Sequence, residues 1–253
     1  MDNKHAIHKQ LTTHNPLFTK SAFTLAETLI VMGIIGVVAA LTLPNLNSST
    51  GDKEKVVKLQ KIYSNLNDAM GRAIAVYGPY NEWGLTVSNS EKFLDRLSDF
   101  LKISKNCGSG DSSCIDMNNI KELNPTPSTD IPQMEDMLLQ AFLPKKSFIL
   151  ADGASIVASG PTTIVVDIDG PNNGAHTWGK DFFQFTVDAD TGEIFPYGYN
   201  DLTDTNILNR CIKGGTYCGA WIIQYGNTDY LKVDSRGRCA NLKLLSTPNT
   251  SCK

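Results

Sequence analysis

Asp167, Asp169, Asn172, Asn173 and Asp181 gather oxygen-bearing side chains around glycines at 170, 174 and 179. Calcium takes roughly six to eight oxygens from carboxylates, amides and carbonyls. Asp167, Asp169, Asn172 and Asp181 are therefore candidate calcium ligands. The stretch lacks the later Glu that an EF-hand loop requires. The same residue types also serve ordinary turns, because Asp and Asn bond their own backbone and Gly supplies positive φ. Both readings stand on these residues alone.

A second set is the six cysteines, Cys107, Cys114, Cys211, Cys218, Cys239 and Cys252. An even number fits disulfides made in an oxidising compartment, and leaves many connectivities open. Local pairing, Cys107–Cys114, Cys211–Cys218 and Cys239–Cys252, is favoured because each pair brackets a Gly- or Pro-bearing loop. Zinc is the rival, but its short ligand spacing is missing. His5, His8 and His14 lie near the start, which leaves His176 to serve any Ser-His-Asp or Cys-His arrangement. There is no Gly-x-Ser-x-Gly, P-loop or His-Glu-x-x-His motif. The chain is not expected to be an enzyme.

A third feature is one carboxylate, Glu27, at the start of an apolar run that reaches Leu43 and Pro44. About 20 apolar residues span a bilayer core as a helix. An acid inside such a span costs roughly 2.5–3.5 kcal/mol on insertion scales, so it asks for a function. The bland reading places Glu27 at the headgroups. A signal peptide would have a shorter apolar core followed by small residues; here Ser21 and Ala22 come first. A plain signal anchor leaves Glu27 unexplained.

With Lys20, Ala22, Phe23, Glu27, Gly36 and Pro44 in this register, the segment resembles a type IV pilin-like precursor or a pseudopilin of type II secretion. One position departs from that pattern: Ala22 stands where the family usually has Gly. The resemblance implies cleavage between Ala22 and Phe23 by a membrane-embedded prepilin peptidase, then methylation of the Phe23 amine. It also implies a single pass through a bacterial inner membrane, with the head outside the cytoplasm. Membrane lipid, an inner-membrane assembly platform and other pilin or pseudopilin subunits are the implied partners. Lys4, Lys9 and Lys20 against Asp2 would hold the leader inside. In a filament, Glu27 would pair with the Phe23 amine of a neighbour, since an unpaired charge in low dielectric is costly. A retained Glu27 fits a subunit packed within the filament, because tip initiators of the family often lack it. A head larger than a typical major pilin's points to a minor or specialised subunit. The head shares with that group its Cys-rich loops, the 167–181 stretch and the run from Cys218 to Gln224.

Four regions are expected: a leader (1–22), a membrane or filament-core helix (23–44), its amphipathic continuation (45–77) and a disulfide-bearing head (78–253). The polar patch after Pro44 is a place for a kink, with Asp52 as N-cap of the helical stretch beyond it. Val56, Leu59, Ile62, Tyr63, Leu66, Met70, Ala73, Ile74 and Tyr77 draw one helical stripe, and Gly78-Pro79 stops it. One helix from Phe23 to Tyr77 would reach about 80 Å. A short helix is expected over 91–101, a surface linker over 124–132 and room for an inserted lobe around 79–146. Strands are expected over 147–151, 155–159, 162–168, 181–187, 220–225 and 230–233. Phe183, Phe185 and Val187 should share a face. The fold class is α+β, with an antiparallel sheet on the amphipathic half of the helix.

Without its first 22 residues the chain keeps 20 of 23 basic and 25 of 26 acidic side chains. That balance opposes bulk binding to nucleic acid. Lys53, Lys55, Lys58 and Lys61 form either a local basic face or a solvated one. Trp221 reads as core, while Trp83 and Trp178 lie in loops open to contact. The expected function is structural, as a subunit of a type IV pilus or type II secretion pseudopilus. The alternative is a tethered adhesin or substrate-binding module, which predicts that the isolated head binds a ligand.

Overall fold

The computed structural model describes residues 24–86, 89, 91–108, 111, 113–117, 120–124, 146–199, 204–246 and 249–252, with the side chains of 41–50 and 204–206 excepted. The leader, both cleavage-site residues Ala22 and Phe23, and the expected linker from 125 onward lie outside them, as does the side chain of Pro44. Two compact units divide the chain, Met1–Asn47 and Ser48–Lys253.

In the first unit, helix α1 (Leu25–Tyr77) begins at a reciprocal cap. The amide and Oγ1 of Thr24 both donate to Glu27 Oε2 at 2.9 Å, and the Glu27 amide donates back to Thr24 Oγ1 at 3.3 Å. This is the Thr-x-x-Glu capping box, which satisfies amides that the helix start would leave orphaned. From Leu25 to Val38 every side chain is exposed. Among the described residues no helix is long and apolar enough to cross a membrane. The described side chains of this run end at Ala40. Sixteen residues at 1.5 Å each reach about 24 Å, short of a hydrocarbon core of about 30 Å.

The second unit takes the rest of α1. Helical backbone continues through Pro44 and the polar patch without a break, so Asp52 lies inside the helix rather than at an N-cap. Its carboxylate faces Lys232 at 3.6 Å instead. Gly78, at φ +84°, ends α1 where the sequence predicts, with its amide on Ile74 O. Val56, Leu59, Ile62, Leu66, Met70 and Ala73 are buried, Tyr63 and Ile74 half-buried, and Tyr77 emerges.

That stripe covers a six-stranded antiparallel meander, β1 (Ile103–Cys107), β2 (Ser147–Leu150), β3 (Ser155–Ser159), β4 (Thr163–Asp167), β5 (Phe182–Val187) and β6 (Ile194–Pro196), in that spatial order. Side chains alternate across the sheet with period two. Ile156, Ala158, Ile164, Val166, Phe183, Phe185 and Val187 pack with α1, as the alternation in β5 predicts. Val157, Val165 and Phe182 face the other way, under Ile115, Ile120 and Trp178. Helix α2 (Glu91–Ser98) ends earlier than the expected 101, and two hydrogen-bonded turns carry the chain to Leu101.

Two strand expectations fail. Residues 220–225 belong to helix α4 (Cys218–Tyr225), and 230–233 to a 3-10 turn, Asp229–Lys232, with Val233 after it. A short apolar run does not distinguish strand from buried helix by periodicity. Here α3 (Asp204–Gly214) lies next door, and Cys211–Cys218 staples the two helices across a turn. Gly226 at φ +64° then closes α4 onto Ile222 O.

All three cysteine pairs favoured from spacing are at disulfide distance, with Cα separations of 6.0, 4.6 and 5.4 Å in chain order. Replacing Cys211 and Cys218 together with alanine is expected to lower unfolding free energy by about 2–3 kcal/mol, from the entropy of so short a closed loop. Denaturant titration of wild type and variant, with and without reductant, reads this directly. A variant matching oxidised wild type would show that the helix pair needs no staple.

Candidate functional site

Two places concentrate polar groups with unusual environments. The first is the start of α1, where Glu27 is the one acid in a run of exposed apolar side chains. Both Thr24 donors address its Oε2. The cap thus orients Glu27 along the first turn. Gly36, one of the positions that carry the resemblance, has nothing within 4 Å of where a Cβ would sit. The capping box itself is an addition to the sequence-based expectations, although Thr24 three residues before Glu27 is its signature.

The second is the loop from Ile168 to Asp181 that joins β4 to β5. Asp167 at the end of β4 and Asp181 at the start of β5 are both fully buried. Asp181 Oδ2 accepts from the amides of Ala175 and His176, the latter at 2.7 Å, and Oδ1 accepts from Thr177 N at 2.6 Å. Asp167 Oδ1 accepts from the amides of Asp169 and Gly170, each at 3.1 Å. Its Oδ2 is buried with no hydrogen-bond partner among the described residues. Burial, reinforced by the charge of Asp181, pushes the Asp167 carboxyl up to about 7 against the pull of its amide donors.

The glycines make this packing possible. A Cβ on Gly174 would lie 2.4 Å from Asp181 Oδ2, and one on Gly170 2.3 Å from Gly153 O. Both residues have positive φ. Outside the loop, Lys55 of α1 reaches Asp169 at 3.5 Å and Lys180 O at 3.3 Å.

The candidate calcium ligands Asp167, Asp169, Asn172 and Asp181 lie on this one stretch, where Asp167 Oδ1 and both oxygens of Asp181 accept backbone amides. Among the described residues no group of three or more His, Cys, Asp or Glu could hold a metal ion. Several of these carboxylate oxygens already face a donor, Asp167 Oδ2 excepted. Asp181 is spent on three amides, Asp167 on two, Asp169 faces a lysine, and Asn172 is exposed. The amides that Asp167 and Asp181 accept are the turn chemistry these residue types provide.

Other expectations resolve similarly. Lys55 and Lys61 of the basic face pair with Asp169 and Asp152, so that face is partly neutralised within the unit. Trp83 and Trp178 are buried rather than exposed: the Trp83 Nε1–H donates to Gly78 O, and Trp178 packs edge-on against Phe182. Trp221 is core, as expected. His176 stands at the 168–181 loop with its ring edge-on to Phe182, and its Nδ1 has no partner among the described residues. Asp229 carries no expectation from sequence, yet it receives Lys232 Nζ, Ser251 Oγ and Cys252 N and anchors the end of the chain. Compared with known protein families, characterised proteins and solved structures, the chain matches none of them.

Proposed function

We propose that this chain is a structural subunit of a secreted helical filament, a type IV pilus or type II secretion pseudopilus. In this reading it is cut between Ala22 and Phe23 and assembles through the start of α1. The observation that carries the proposal is the apolar helix start whose side chains from Leu25 to Val38 are all exposed: Leu29, Ile30, Ile34, Ile35 and Val37 are each 60–63% exposed. A contiguous apolar surface of this kind marks an interaction with lipid or protein. The sequence run from Phe23 to Leu43 extends beyond the described side chains. Its 21 residues are enough for about 30 Å of helix, so lipid can hold it before assembly. Copies or related subunits then replace lipid around the same surface. The head supplies an α+β body closed by three cysteine pairs, which suits life in an oxidising compartment.

Mass spectrometry of the native material tests processing. The expected N-terminus is Phe23 carrying one methyl group. Recovery of Met1, or of any leader peptide containing His5, His8 or His14 on the mature protein, would reduce α1 to a tether and remove the proposal.

A further inference from the structure

The geometry points to Asn173–Gly174 as a self-modification site, where the side-chain amide of Asn173 is converted to a carboxylate without an enzyme. The reaction needs the backbone nitrogen of the following residue as its nucleophile. Three Asx-Gly steps occur in the chain, at 152–153, 169–170 and 173–174. At the first two the fold occupies that nitrogen: Gly153 N donates to Leu150 O at 3.0 Å, and Gly170 N to Asp167 Oδ1 at 3.1 Å. Gly174 N differs. The Asp181 clamp takes the next three amides, of Ala175, His176 and Thr177, and stops one residue short. Among the described residues Gly174 N–H has no acceptor.

The neighbours sharpen the contrast. Asn173 and Gly174 are both exposed, so water reaches the site. The Asn173 side chain is held only by a long 3.4 Å bond from Nδ2 to Asp169 O. Asn172, next to it and equally exposed, is followed by a residue with a side chain whose amide nitrogen donates to Gly170 O at 3.2 Å. The fold therefore protects Asn172 and leaves Asn173 open.

In the reaction Gly174 N loses its proton to solvent and attacks Asn173 Cγ, forming a carbon–nitrogen bond and a five-membered succinimide. The side-chain nitrogen takes up a proton from solvent and leaves as ammonia. Water then adds to either ring carbonyl and opens the ring to aspartate or isoaspartate. One water is consumed, one ammonia is released, and nothing is oxidised or reduced. The new carboxylate joins Asp169 and Asp181 in the loop that Lys55 holds against α1.

The full chain, extracted in detergent and incubated at mildly alkaline pH, tests this by peptide mapping over time. The expected result is loss of the Asn173 peptide, with gain of about one mass unit and two chromatographic products. Asn172 should stay intact, and hydroxylamine should cleave between 173 and 174 where the succinimide accumulates. Asn173→Gln should abolish all three signals. A parallel sample in denaturant reports the unfolded chain. Asn173 that persists in the folded protein but converts in denaturant would overturn the inference, as would loss of Asn172 at the same rate.

Discussion

Replacing Glu27 with alanine is expected to abolish filaments while the head still folds and the precursor still reaches the membrane. Replacing it with glutamine is expected to do nearly the same, and the glutamine variant carries the argument. In the structure Glu27 closes a capping box with Thr24, a geometry that Gln satisfies as well as Glu. If capping were the whole role, Glu27→Gln would assemble like wild type and Glu27→Ala would lose about 1 kcal/mol of helix start. The proposed role is charge. Inside a bundle of apolar helices, a neighbour's Phe23 ammonium left without its carboxylate costs several kcal/mol, roughly 3–5 when one partner of a buried pair is removed. That penalty recurs at every subunit, so filament growth should fail rather than slow. Shearing filaments from cells and immunoblotting the sheared and cell-bound fractions reads the outcome. Normal filaments from Glu27→Gln would leave the acid as a cap and nothing more.

The cap and the ion pair are compatible because they use different parts of the group. Both Thr24 donors sit on Oε2. They set the direction of the carboxylate while its second oxygen stays available. A residue whose charge is wanted in an apolar setting benefits from donors supplied by its own backbone.

Much of the head's architecture was legible because its elements follow one period each. The α1 stripe from Val56 to Ala73 is a three- and four-residue pattern, and the structure buries it as drawn. β5 alternates, so Phe183, Phe185 and Val187 fell on the core face. The turns at 152–153 and 190–192 carry Gly beside Asp or Thr, the residue types a turn asks for. The failures have a common cause. The run from Ala220 to Tyr225 has one polar residue, the exposed Gln224, and α4 is buried from Cys218 to Ile222, so too little period shows to separate helix from strand. β6 was missed because it is three residues long, and β1 because four of its five residues are not fully buried.

Site residues were legible by type and not by role. Asp167, Asp169, Asn172 and Asp181 do form one loop, as their clustering suggests, but spacing does not say whether an oxygen points at a cation or at an amide. Asp181 points at three backbone amides, and those donors exist only once the loop folds. Asp229 carries no sequence signal at all. Its partners Ser251 and Cys252 lie more than 20 positions away, and the Cys239–Cys252 pair helps to bring them there.

Asp167→Asn is expected to change how stability depends on pH, and the sign follows from the direction of the shift. The folded protein holds the Asp167 carboxyl at about 7, against 3.8 for an unperturbed side chain. Below the unperturbed value both states are protonated and the group adds no pH dependence. As pH rises from about 4 to about 7 the unfolded state loses its proton first, so wild-type stability falls, by at most about 1.4 kcal/mol per pH unit. Above 7 the folded state ionises too and the loss levels off, at up to about 4 kcal/mol. Asn has no proton to lose, and its side-chain oxygen can still accept from the amides of Asp169 and Gly170. The variant should therefore gain on wild type as pH rises from 5 to 8, by a margin of a few kcal/mol. Asp181, His176, Asp169 and Lys55 stand around the same loop and remain in both proteins, so the difference between the two curves reports on Asp167. Denaturant midpoints of the full chain at pH 5 and pH 8, followed by tryptophan fluorescence, give that difference. Parallel curves would mean that Asp167 ionises in the folded protein as it does in water, and that the unpartnered Oδ2 finds donors the fold does not provide.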